Sequence, residues 1–210
     1  MESKNVSLKS SGKKDYKTGK NISGKSQLST GSNTTSTGFN EENDQNSLFK
    51  VFEKHLKDIY TAELELVDAL PKVMEAAYEE DFEDAIRDHL EETKRQSKRL
   101  EKIFTQLRID KDDAEISEAM SALIGETNKI IDEFESGPVR DSALIICAQK
   151  VEHYEIAAYT TARNLALQLH QPEIVELLTI TLGEEQNAGQ LLDQVAQPLM
   201  SVARMPKQVL

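Results

Sequence analysis

No tryptophan and only one cysteine occur in the 210 residues, and aromatic side chains make up 5% of the chain. Cys147 alone cannot close an internal disulfide, which suits a reducing compartment, and its Ala/Ile-rich surroundings read as a small core position. No apolar run approaches the ~18 residues needed to cross a bilayer, so no membrane segment is expected. No apolar stretch follows the early lysines as a secretory signal would require, and the chain reads as cytoplasmic. Also missing are a glycine-rich phosphate loop, a nucleophile with a base at useful spacing, and a zinc-type Cys/His cluster. Hydrolase and nucleotide-binding readings therefore have no support.

Aliphatic residues are scarce in one region. Residues 1–40 hold nine Ser, five Thr, five Gly and seven Lys, too little apolar surface to offset ordering entropy. A disordered leader over 1–45, a folded domain over 46–200 and a tail over 201–210 follow as the expected organisation. Charge divides similarly. The first 40 residues carry seven Lys against Glu2 and Asp15, whereas the whole chain is −12, leaving an acidic body. Such a body repels a phosphate backbone, so no nucleic-acid binding is expected of the folded part.

From Ser47 onward apolar residues recur at helical spacing. A first helix is expected from Asn46 or Ser47, both good caps, to about Tyr78, with Pro71 bending it. Its stripe is Phe52, His55, Ile59, Glu63, Leu66, Leu70 and Val73. Glu79-Glu80-Asp81 reads as a turn into a second helix carrying Phe82, Ile86, His89, Thr93, Gln96, Leu100 and Phe104. A shorter helix is expected from Ile116 to about Glu135. Another runs from Pro138 to about His170, and a last one from Gln171-Pro172 to a stop at Pro198. Four long helices in two hairpins, joined by a ~30-residue crossover with a short helix, make an all-α, ferritin-like four-helix bundle.

The unusual feature is where the carboxylates fall. Glu63 lies four after Ile59 and three before Leu66; Glu155 lies between Val151 and Ala158, with Glu152 at the inner edge. Glu185 follows Leu182 by three, and His89 is central on the second helix with Glu92 three residues on. Each long helix thus turns a potential ligand inward. Several carboxylates in one core repel one another unless protons, Lys150, Arg95 and Arg163, or metal ions neutralise them. Facing Glu and His side chains are how bundle cores hold iron or manganese. The expected ligands are Glu63, His89, Glu92, Glu152, Glu155 and Glu185, around two Fe or Mn ions.

The segments His89–Thr93, Asp141–Ile145 and Gln149–Tyr159 resemble the YciF-type ferritin-like family, with Tyr60–Glu63 and Leu182–Glu185 falling where that family has its first- and last-helix carboxylates. The resemblance covers about residues 47–197. It implies a ferritin-like fold, a homodimer and an association with bacterial stress responses. Rubrerythrin-type relatives carry Glu-x-x-His on two helices; here the second helix reads His89-x-x-Glu92 and the position three after Glu185 is Ala188. These departures imply an oxygen-rich site.

Other polar groups read more plainly. His153 points away from the stripe, toward the surface or a subunit interface, and His55 is a boundary histidine. Glu126 on the crossover helix is solvated, while Tyr60, Tyr154 and Tyr159 are packing residues able to bond core carboxylates. Ile124, Ile130 and Phe134 exceed what one bundle face needs and suit a dimer contact. The function expected is a stress-associated protein handling iron, oxygen or peroxide at a di-metal core. The alternative is a metal-free structural or interaction protein that keeps the fold without redox chemistry.

Overall fold

The structure, a computed structural model, describes the backbone of residues 41–202 and the side chains of residues 43–198. The expected leader therefore lies outside the described residues up to 40, as does the tail from 203. The described chain is all helical: α1 (Glu41–Ala76), α2 (Glu80–Leu107), α3 (Glu118–Glu133), α4 (Pro138–Gln168) and α5 (Pro172–Val202). There is no strand among the described residues.

Helix boundaries follow local chemistry, with three corrections. First, α1 begins at Glu41 rather than at Asn46 or Ser47, so residues 41–45 are helical. Ser47 does not cap it: its hydroxyl bonds back to the Asn43 carbonyl at 2.9 Å inside the helix, the competing use of a short hydroxyl side chain. Asp44 adds a negative charge near the positive end of the helix dipole. Second, Glu80 and Asp81 are not a turn but, with Glu83, the acidic first turn of α2. Third, α5 continues through Pro198 to Val202. A proline removes one ladder bond, and with four residues left to run that loss does not end the helix. Pro71 likewise sits inside α1.

The turns are tight where expected. α2 ends on Arg108 in the left-handed region (φ 57°), with Ile109 N–H returning to the Phe104 carbonyl at 2.9 Å. Gly137, at φ 150°, precedes Pro138 at the start of α4. His170, also left-handed, lets Gln171 N–H reach the Ala166 carbonyl at 3.0 Å before Pro172 opens α5.

The long helices pack in a ring: α1 on α2, α2 on α5, α5 on α4, and α4 on α1. The crossover helix α3 lies on α1 and α4. Glu65 of α1 holds its start, accepting from Ser117 N–H at 3.2 Å and from the Ser121 hydroxyl. The apolar core is in two parts. One contains Leu66, Leu70, Phe82, Ile86, Met120, Leu144 and Val151; the other contains Phe52, Leu56, Ile59, Leu100, Phe104, Tyr159 and Leu178. Each fully buried large side chain adds about 1.5–3 kcal/mol. Between the two parts, at the level of Glu63, His89, Glu152 and Glu185, runs a polar layer.

Candidate metal centre

Glu63, Glu155 and Glu185 are at most 1% exposed, Glu152 is 2% exposed and His89 is 5% exposed. Helical spacing brings them together: each follows or precedes an apolar residue by three or four, so the stripe that buries the helix buries the charge. His89, Glu152, Glu155 and Glu185 each present one ligand atom, all within 4.8 Å of one another. Glu63 stands beside this group rather than in it. Tyr159, on α4, donates its hydroxyl to Glu63 Oε1, and the Glu185 charge acts on Glu63. Glu92 also lies outside the four. It is half-buried, 3.7 Å from Arg95 Nη2.

Burial dominates the electrostatics. It pushes Glu63, Glu152 and Glu155 well above the usual carboxylate range, with repulsion from Glu185 as the next cause. Glu185 is pushed up to about 8, again mainly by burial. Burial takes His89 down to about 4, so its imidazole is neutral. Its Nε2 lies 3.5 Å from Glu152 Oε1 and 3.8 Å from Glu155 Oε2, near enough for ion pairs only if protonated.

Lys150, Arg95 and Arg163, the cations that could have neutralised the core as an alternative to metal, pair with none of its four clustered residues. Lys150 bonds Glu126 at 2.5 Å, Arg95 faces Glu92, and Arg163 makes no ion pair among the described residues. Arg99, which weakly favours the charged form of Glu63, is engaged with Glu184 at 2.9 and 3.0 Å and with Thr181 at 2.5 Å. As a result Glu63 Oε2, both ring nitrogens of His89, Glu152 Oε2, both oxygens of Glu155 and Glu185 Oε2 are buried without a hydrogen-bond partner. Buried polar atoms are rarely left so, and here they converge.

Gln96 and Asp141 support the site without a role in the sequence reading, while Tyr159 is among the tyrosines read there as able to bond core carboxylates. Gln96, seven after His89 on the same face, donates Nε2 to Glu185 and, at 3.2 Å, to Glu184. Of those three tyrosines, Tyr60 and Tyr154 bond Glu101 and Asp58 at the periphery, and Tyr159 alone bonds a carboxylate of the core. Asp141, fully buried, accepts from Tyr78 N–H at 3.1 Å and Glu79 N–H at 2.8 Å, tying the start of α4 to the α1–α2 turn. An inward polar residue in register with a ligand was the available signal for Gln96 and Tyr159. His55 is a satisfied boundary histidine, its Nε2 donating to the Ala158 carbonyl at 2.9 Å, while His153 and Glu126 are exposed.

Comparison with known proteins agrees with this arrangement of helices. The family model described as "Domain of unknown function (DUF892)" matches residues 47–203. The chain belongs to the DUF892 family. Protein YciF of Escherichia coli (strain K12) is 43% identical over 135 residues, covering 64% of this chain and 81% of YciF. The crystal structure of that E. coli stress protein superposes with a TM-score of 0.71 at 39% identity, covering 73% of this chain and 97% of YciF. A second structure, YcfI from Rhodopseudomonas palustris, provisionally described as a structural protein, gives a TM-score of 0.68 at 38% identity over 71% of this chain and 94% of its own. The resemblance read from His89–Thr93 and Gln149–Tyr159 therefore stands.

Proposed function

We propose that this chain is a cytoplasmic, stress-associated protein with a ferritin-like four-helix bundle whose polar core holds a redox-active divalent metal, iron or manganese. The observation that carries this reading is the convergence of unpartnered buried oxygens and imidazole nitrogens from α2, α4 and α5. The donor set fits the ion: one neutral imidazole and hard carboxylate oxygens suit Fe and Mn better than thiophilic metals. His89, Glu152, Glu155 and Glu185 would hold one ion, and Glu63 beside Glu185 would extend the site to a second. Bound iron or manganese would supply redox chemistry toward oxygen or peroxide.

The chain's own residues prepare that site. Tyr159 fixes one Glu63 oxygen and leaves the other free, and Gln96 does the same for Glu185. The two apolar core halves bury the carboxylates and favour their protonated forms, so a metal ion must displace protons to bind. Anaerobic titration of the full chain with Fe(II) or Mn(II), with elemental analysis and melting curves, tests the reading. Up to two ions per chain are expected, with a melting-temperature gain of roughly 5–10 °C at a metal concentration a hundredfold above Kd, reversed by chelator. No bound metal and no shift would overturn it.

A second reading has one specific observation behind it: a similar structure is described as structural. Under it the core stays protonated, and Glu63→Gln with Glu185→Gln abolishes no property that depends on metal.

A further inference from the structure

Two cavities touch the buried cluster, and they differ in kind. One, of about 30 Å³, is walled by Leu66, Leu70, Val73, Leu144 and Val151 before it reaches His89 and Glu152. A hydrated divalent cation entering there would lose water ligands between mostly hydrocarbon walls, with the neutral Thr127 and Asn128 and no carboxylate ahead of Glu152 to replace them. The other, of about 130 Å³, lies between α2 and α5. Its rim carries Asp88, Glu92 and Asn187, exposed or half-buried; its inner wall is His89 and Glu152, both buried and both with unpartnered atoms.

Side-chain size explains why the seam opens at this level. Ala188 lines the cavity, and Gly189 packs so near that an added Cβ would lie 3.8 Å from Glu152 Cβ. A larger side chain at 188 would fill the gap. Farther along the same two helices the seam is closed: Gln96 bonds Glu184 and Glu185, and Arg99 bonds Thr181 and Glu184.

We propose that the α2–α5 cavity is the entry site for the cation, with Asp88 and Glu92 as capture carboxylates that replace its water before it reaches His89 and Glu152. The inference rests on the metal reading above. Glu92 then has a use suited to its half-buried place at the rim, where Arg95 holds it only at 3.7 Å. A cleft lined by one sign of charge between low-dielectric walls focuses the field and raises association rates of counter-ions by about 10–1000-fold.

The test is stopped-flow uptake of Co(II) by the full chain, followed by absorbance, at low and high salt. Asp88→Asn/Glu92→Gln is expected to slow uptake at least about tenfold at low salt while final stoichiometry is unchanged, and to remove most of the salt dependence. Ala188→Leu is expected to slow it as well by filling the cavity. A control pair on the crossover helix, Asp132→Asn/Glu133→Gln, is expected to leave the rate as in the unaltered chain. Equal rates in the rim variant, or equal slowing in the control pair, would overturn the entry site while leaving the metal reading intact. A fall in stoichiometry would make Glu92 a ligand and overturn its capture role. Failure of the unaltered chain to take up Co(II) would overturn both proposals.

Discussion

At the scale of single residues, the protonation of the core is what can be measured first. Glu63, Glu152, Glu155 and Glu185 all have folded-state affinities for protons above those of an unfolded chain. A raised carboxylate contributes stability that is full below the unfolded value and lost as pH rises through the folded one, about 8 for Glu185. His89 works in the opposite sense: held down to about 4, its contribution is full above about 6.5 and lost toward 4. Above pH 6.5 only the carboxylates count, so metal-free protein should lose stability from about pH 6.5 to 9, as read by urea denaturation. Metal-dependent stabilisation should grow over the same interval, since ligation requires the proton to leave. Glu185→Gln should stabilise the metal-free protein already at pH 6.5, where the unfolded carboxylate is ionised and the folded one must hold a proton, and by roughly 2 kcal/mol more at pH 9. Tyr159→Phe strips Glu63 of its hydroxyl donor and should cost about 1–3 kcal/mol in the same assay.

At the scale of elements, the helices were readable because their stripes have a 3.6-residue period, and their ends less so. Ser47 looks like a cap and Pro198 like a stop, but each is a local preference overridden by the run of helix around it. Asp141 belongs to this scale. It lies in the first turn of α4, where sequence offers a dipole argument, yet its oxygens are spent on backbone N–H groups 62 and 63 residues away. Asp141→Ala should therefore cost about 2–3 kcal/mol by thermal or chemical denaturation, more than loss of an exposed first-turn acid, because two partly buried donors lose their partner. If the change cost under about 0.5 kcal/mol, the clamp would carry no weight.

At the scale of the molecule, the crossover helix α3 is used mainly within the chain. Ile124 and Ile130, expected to cover a partner, pack against the chain's own core, and Phe134 is 40% exposed. Large apolar side chains instead stand exposed at Val139 and Ile146 on α4, seven apart, with His153 seven further on. We propose this stripe as the contact for a second copy of the chain. Ile146→Glu should shift sedimentation from dimer toward monomer with helical content unchanged. A protein already monomeric at tens of micromolar would sink the proposal. No helix of the described residues is long and apolar enough to cross a membrane.

The sequence by itself determined the all-helical class, the helix order, the crossover and the inward turn of Glu63, Glu152, Glu155 and Glu185. All of these depend on periodicity along one helix, and periodicity is a local property. What it could not rank was the membership of the site. Glu63, Glu92 and Glu185 each lie on or at the edge of an apolar stripe, yet Glu185 joins His89, Glu152 and Glu155, Glu63 is held aside by Tyr159, and Glu92 stays at a rim. Those outcomes depend on how far each helix slides and rotates against its neighbours. A shift of one residue, 1.5 Å along the axis and about 100° around it, moves an oxygen in or out of ligand reach. Only the packed ring of helices decides that.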